Sequence, residues 1–165
     1  RYWRDWSSDV CSSDLAYVKC TGRSSDNTSA GNLVLHEACK HNPPIDLIES
    51  LIEACPESIR SPGFSGYLPF HYACANCASV ELLRFLDTLY PEAIRMVEDD
   101  ENALPLHLVC KAGATKEDIY MALLISYPEA AGIRDVFGRL PIDYAKNIRN
   151  DTHRKIAVEC LHRAE

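Results

Sequence analysis

The sequence of 165 residues contains no apolar run long enough to cross a bilayer, which argues against a membrane protein. Basic residues are in deficit, with 17 Lys and Arg against 24 Asp and Glu. The resulting formal net charge of −7 argues against electrostatic binding of nucleic acid or anionic lipid. Tryptophan is also scarce, and both copies, Trp3 and Trp6, lie at the very start of the sequence.

The first thirty residues are unlike the rest of the sequence. Residues 1–15 resemble a translated sequencing adapter, because Asp5 to Leu15 back-translate to the adapter in one frame, so we predict a disordered artefact and a missing native N-terminus. A genuine Ser/Asp-rich leader is the alternative. Residues 16–30 are rich in Ser, Thr, Asn, Asp and Gly, which predicts a flexible lead-in, with the frayed end of a truncated unit as the alternative. Neither segment supplies the apolar block of a secretory signal.

From Gly31 onward the sequence repeats with a period of about 35 residues, which is typical of a solenoid. The segments GNLVLHEACKHN, GYLPFHYACANC, NALPLHLVCKAG and GRLPIDYAKNIR begin at positions 31, 66, 102 and 138. A second element, LIEACPES, LDTLYPEA and LISYPEA, recurs with the same rhythm. We therefore predict four units, at about 31–65, 66–101, 102–137 and 138–165.

Each unit is predicted to contain two short helices, which makes the fold class all-α. Prolines at 69, 105 and 141 suit the first turn of the first helix, where a missing N–H costs nothing. The second helices are predicted to begin at Pro44, Ser79 and Thr115, with Thr115 as a helix cap. The prolines at 56, 91 and 128 are predicted to end these helices and to start an extended connector.

This repeating element resembles the ankyrin repeat. The family's Gly-x-Thr-Pro-Leu-His-x-Ala-Ala element is matched by Gly66 to Cys74, and similarly by Asn102 to Cys110. The resemblance covers residues 31 to about 161, in three full units and a divergent fourth. It implies a solenoid of stacked helix pairs in which the recurring His bonds backbone groups and joins one unit to the next. The residues at that position are His36, His71 and His107.

The sequence also departs from the family pattern. Cys77 stands where the family has a helix-ending Gly, which predicts a distorted turn. In the fourth unit Asp143 replaces the His and Lys146 replaces a small buried residue, as expected for an end unit with one face in water.

Cysteine and histidine could indicate zinc or redox chemistry, since Cys74-Ala-Asn-Cys77 is a C-x-x-C motif. However, Cys39, Cys74 and Cys110 occupy one position in successive units, about 8–10 Å apart, and cannot converge on one ion. We interpret them as small buried apolar side chains, which indicates a reduced intracellular setting. No nucleophile and base stand together, so no enzyme activity, metal or cofactor is predicted.

The acidic run Glu98 to Glu101 is interpreted as a solvated tip, with contact to a basic partner segment as the alternative. The resemblance implies that a partner protein lies in a groove formed by connector tips and first helices. The implied tip residues are Phe64, Tyr67, Asp99, Asp100, Glu101, Phe137 and Arg139. The implied first-helix residues are Lys40, His41, Asn76 and Lys111. Of these, the three aromatic residues are the first to test.

The function predicted from this resemblance is a monomeric, non-catalytic scaffold for an unknown protein partner. The alternative is a regulatory or targeting region of a larger enzyme or channel.

Overall fold

The computed structural model describes residues 32–163. The interpretations of residues 1–15 and 16–30 fall outside this range. Within it the chain contains helices and no strands, so the all-α prediction is confirmed for the described residues. The α-helices are α1 (Val34–Lys40), α2 (Ile45–Ala54), α3 (Pro69–Ala75), α4 (Val80–Leu89), α5 (Pro105–Ala112), α6 (Glu117–Ser126), α7 (Pro141–Lys146) and α8 (Asp151–His162).

The helices form two layers. The first helices of the units, α1, α3, α5 and α7, pack side by side in chain order. In the second layer α4 packs on α6, and α6 on α8. Each first helix also packs on the second helix of its own unit. The buried apolar core lies between the layers and includes Cys39, Cys74 and Cys110.

Most predicted helix boundaries agree with the structure. The prolines at 69, 105 and 141 are the first residues of α3, α5 and α7. Pro44 and Ser79 are the caps of α2 and α4, and the Ser79 hydroxyl accepts a hydrogen bond from the Leu82 N–H. The prediction for Thr115 is wrong, because Lys116 has the extended cap conformation and α6 begins at Glu117.

The connectors do not begin as extended chain, which corrects a second prediction. They begin with 3₁₀ helices at Pro56–Ile59, Pro91–Arg95 and Pro128–Gly132. The residue before each proline lies outside the helical region, with φ of −143° to −148° and ψ of 79° to 85°, because the proline ring disfavours that region there. The proline itself has a φ compatible with a tight helical turn.

The turn after α3 retains the geometry that a glycine would give. Cys77 has φ of 50°, close to the 71° of Gly113 at the same place in the next unit. The Cys77 N–H bonds to the Cys74 carbonyl, and the Ala78 N–H bonds to the Ala73 carbonyl. The predicted distortion is small: the Cys77 N–H bonds to the carbonyl three positions back, whereas the Gly113 N–H bonds to the one four positions back. Cys77 also adopts the left-handed conformation that side chains disfavour.

Candidate functional site

Three buried histidines, which we call the histidine spine, connect the first helices to the connectors. These are His36, His71 and His107. Each Nδ1 accepts a hydrogen bond from a backbone N–H three positions earlier, on Leu33, Leu68 or Leu104, at 2.9–3.2 Å. Each Nε2 donates to a connector carbonyl, at 2.9 Å for Ser61, 2.9 Å for Met96 and 3.3 Å for Arg139. The predicted backbone bonding of these residues is therefore confirmed. Only the His107 bond joins one predicted unit to the next, because Ser61 and Met96 lie in the same units as His36 and His71.

Burial keeps the spine neutral. It lowers the pKa of His36 to about 4, and it also lowers the pKa values of His71 and His107. A neutral ring can use one nitrogen as acceptor and the other as donor, which is what the two backbone bonds require. The spine therefore acts as a structural connection at neutral pH.

In the fourth unit Asp143 performs half of this role. Its Oδ2 accepts a hydrogen bond from the Leu140 N–H at 3.0 Å, just as the histidine Nδ1 does. A carboxylate has no N–H to donate onward, so this unit lacks the second bond of the spine.

Three connector tips lie beside the spine, at residues 63–67, 98–103 and 135–139, and we call them the first, second and third tips. In each, the first N–H donates to the last carbonyl, at 2.8 Å, 3.2 Å and 3.0 Å respectively. Neighbouring tips are also bonded to each other. The Asp99 N–H donates to the Ser65 carbonyl at 2.9 Å, and the Val136 N–H donates to the Glu101 carbonyl at 2.8 Å. The tips therefore form one continuous row.

Glu98 is the internal support of the second tip. Only 1% of this residue is exposed. Its carboxylate accepts hydrogen bonds from the N–H groups of Asp100 and Glu101 at 2.7 Å and of Ala103 at 3.0 Å. The interpretation of the whole acidic run as solvated is thus wrong for Glu98, because these three donors replace its water.

Asp135 supports the third tip in the same way. Its carboxylate accepts hydrogen bonds from the Phe137 and Arg139 N–H groups, both at 2.9 Å, and from the Tyr144 hydroxyl. Burial acts to raise the pKa of Asp135, but these hydrogen bonds outweigh it and the pKa is lowered. The carboxylate therefore stays charged inside the tip.

The first tip receives its support from a distant residue. Gly63 has no side chain, and a Cβ there would lie 2.5 Å from the Asn32 Oδ1. That oxygen accepts hydrogen bonds from the Phe64 N–H and the Tyr72 hydroxyl, both at 2.9 Å. Asn32 thus does for this tip what Asp135 does for the third. Sequence reasoning missed both residues, although tyrosine at 72 and 144, next to the repeating His or Asp, was a usable signal.

The tip residues that the resemblance implies as partner contacts differ in solvent exposure. Phe64 and Phe137 are each 58% exposed, and Asp99 and Asp100 are exposed between them. Arg139 is exposed, with its guanidinium 4.9 Å from the Phe137 ring centre. Tyr67, in contrast, is half-buried and packs against Tyr72, with ring centres 5.1 Å apart.

On the first helices, both implied lysines already have contacts. The Lys111 ammonium lies 2.8 Å from both carboxylate oxygens of Glu101. Lys40 pairs with Glu37 at 2.6 Å, and its ammonium lies 4.8 Å from the centre of the Tyr72 ring.

The two remaining implied residues lie at the ends of these helices. His41 is exposed after α1, and the Asn76 side chain donates to the Tyr72 carbonyl at the end of α3.

Cys39 and Cys74 carry protonated, buried thiols. Desolvation raises the pKa of Cys39 to about 12 and that of Cys74 well above its usual range. Within residues 32–163, no three His, Cys, Asp or Glu side chains are grouped closely enough to bind a metal ion. None of the helices in that range combines the length and apolar character needed to span a membrane.

Comparison with known protein families gave no match, and comparison with curated proteins found none with significant similarity.

Proposed function

We propose that residues 31–165 form an ankyrin-like solenoid that acts as a monomeric, non-catalytic scaffold for a protein partner. Three features support the ankyrin-like arrangement. Helix pairs recur in two layers, buried histidines bond the connectors, and adjacent tips are joined through their backbones. Such arrays present a rigid surface whose shape comes from stacking and whose specificity comes from the side chains at the tips.

The observation that carries the binding proposal is the pair of exposed phenylalanines on the tip row. Phe64 and Phe137 each leave more than half of their surface in water, on loops held by hydrogen bonds to Asn32 and Asp135. Rigidly held exposed aromatics gain much from burial in a partner and lose little conformational entropy on binding.

A non-catalytic role is supported by how the usual catalytic residue types are used. Both nitrogens of His36, His71 and His107 are hydrogen-bonded to backbone, which leaves no free nitrogen for proton transfer. The raised pKa values of Cys39 and Cys74 keep these thiols from acting as thiolate nucleophiles. Free buried cysteines also support a reducing intracellular location.

The test is selection of a random twelve-residue phage-displayed peptide library on the full chain. Selected peptides are synthesised with a fluorescent label, and fluorescence polarisation gives their Kd values for the wild-type chain and for Phe64→Ala/Phe137→Ala. We expect the double variant to bind at least tenfold more weakly, with an unchanged circular dichroism spectrum. Tyr67 is left unchanged because its packing on Tyr72 would confound the result.

The matched control is Ile125→Ala, which removes an exposed apolar side chain from α6 in the second layer, where 71% of Ile125 is exposed. It should bind the selected peptides as tightly as the wild type. Equal binding by a folded double variant would contradict the proposal.

A further inference from the structure

The proposed scaffold function does not say what kind of partner segment is bound. The order of side chains along the tip row indicates the chemistry of that segment. Phe64 is on the first tip, Asp99 and Asp100 are on the second, and Val136 and Phe137 are on the third. Backbone hydrogen bonds join each tip to the next, so this order is also the spatial order. Two apolar patches thus flank an acidic centre.

The acidic centre has an unbalanced charge. Glu101 is neutralised by Lys111 at 2.8 Å, and Glu98 is buried with three N–H donors. Asp99 and Asp100 are exposed, and no ion pair within residues 32–163 includes either of them. Both carboxylates are therefore available to a positive charge from outside residues 32–163.

We propose that the tip row binds a basic segment of a partner protein, with a Lys or Arg opposite Asp99 and Asp100. Apolar side chains on each side of that residue contact Phe64 at one end and Val136 and Phe137 at the other. Charge complementarity selects this occupant, since a negative patch is best matched by a positive one. The apolar ends supply affinity that an exposed ion pair alone does not.

The spacing gives the segment a length. Packed helices are about 8–10 Å apart, so the first and third tips are separated by roughly 20 Å. An extended peptide rises about 3.3 Å per residue and covers this distance in about six residues. The expected pattern is an apolar residue, a central Lys or Arg, and a second apolar residue about six positions from the first.

This inference rests on the proposed scaffold function, and one experiment separates the two. Peptides selected on the full chain are measured against the wild type, Asp99→Asn/Asp100→Asn and Phe64→Ala/Phe137→Ala, at 50 and 200 mM NaCl. The matched charge control is Glu92→Gln/Glu129→Gln, which removes two exposed carboxylates outside the tips.

We expect the selected peptides to contain the basic-centred pattern. Asp99→Asn/Asp100→Asn should weaken binding about tenfold and remove most of its salt dependence, because exposed charge pairs are screened by salt. The phenylalanine variant should weaken binding at least as much while the salt dependence remains. The charge control should behave as the wild type does.

Two further results would overturn the inference in different ways. If the phenylalanine variant loses binding but Asp99→Asn/Asp100→Asn matches the charge control, the basic partner is wrong and the scaffold stands. If neither variant differs from its control, the proposed function fails as well.

Two other occupants of the tip row are tested separately, the first by the peptide-binding assay and the second by sedimentation. Tighter peptide binding by Lys19→Ser/Arg23→Ser would show that the chain's own N-terminal segment occupies the row, which would overturn binding of a separate partner. Dimerisation lost in Phe64→Ala/Phe137→Ala, measured by sedimentation, would assign the row to a second copy and overturn it equally.

Discussion

The histidine spine, on the first helices, and the tip row, on the connectors, lie side by side but meet opposite environments. His36 and His71 are completely buried and neutral, whereas Phe64 and Phe137 are largely exposed. Each spine histidine hydrogen-bonds two backbone groups. In the tips, the buried side chains of Asn32, Glu98 and Asp135 accept backbone hydrogen bonds and so hold loops whose other side chains are exposed to water. The contrast places the structural hydrogen bonds and the proposed binding side chains on different residues. A substitution should therefore affect one property or the other.

The largest loss of stability is expected for His71→Ala. This change leaves the Leu68 N–H and the Met96 carbonyl without their partner and opens a cavity, so the free energy of unfolding should fall by about 3 kcal/mol. Urea denaturation measures this, with exposed His41→Ala as the control, for which a change within about 0.5 kcal/mol is expected. A loss below about 1 kcal/mol for His71→Ala would mean that the spine is not structural.

Acidification should weaken the spine through protonation. The pKa of His36 falls from 6.5 in the unfolded chain to about 4 in the folded one. Its contribution is complete above pH 6.5 and is lost as the pH falls towards 4, by about 3 kcal/mol in total. His36→Asn keeps an acceptor for the Leu33 N–H but does not titrate, so its free energy of unfolding should fall less between pH 7 and 4. Identical pH dependence of the two proteins would refute this assignment.

A smaller loss is expected where the tips are supported. Glu98→Ala removes the acceptor of three N–H groups, but water can reach the tip, so we expect a loss of about 1–2 kcal/mol. The neighbouring Asp99→Ala should change the free energy of unfolding by less than about 0.5 kcal/mol. Equal losses in both variants would remove the distinction between buried support and exposed tip.

The smallest effect on stability is expected for the residues proposed to bind. Phe64→Ala and Phe137→Ala should each change the free energy of unfolding by less than about 0.5 kcal/mol, because both side chains are exposed in the folded chain. Differential scanning calorimetry of the variants measures this. A large fall in the free energy of unfolding would mean that these rings stabilise the fold, as the spine histidines do.

The helices and the spine could be predicted from the sequence because their signals are local and repeated. The Leu-Pro-x-His spacing places a proline at the helix start and the imidazole two residues later, as α3 and α5 show. The all-α class follows from that repetition. The exact starts of short elements were less predictable, since Thr115 and Lys116 compete for the start of α6 with nothing local to decide between them.

The tip supports could not be predicted in the same way. Asn32 acts on Phe64 and Tyr72, which lie 32 and 40 positions further along the chain. Glu98 looks like any surface carboxylate in a run of four acids until its backbone donors are located. The sequence also did not predict that Phe64 is exposed and Tyr67 half-buried, because both are aromatic residues of one tip.

Hydrogen bonds between residues far apart in the sequence influence how the chain unfolds. The bond from His107 to Arg139 spans 32 positions, and the one between Asn32 and Tyr72 spans 40. Each joins neighbouring units, so loss of order passes from neighbour to neighbour and not across the whole molecule at once. Amide hydrogens in α1 and α8 should therefore exchange with solvent sooner than those in α3 and α5, as unfolding advances inward from both ends.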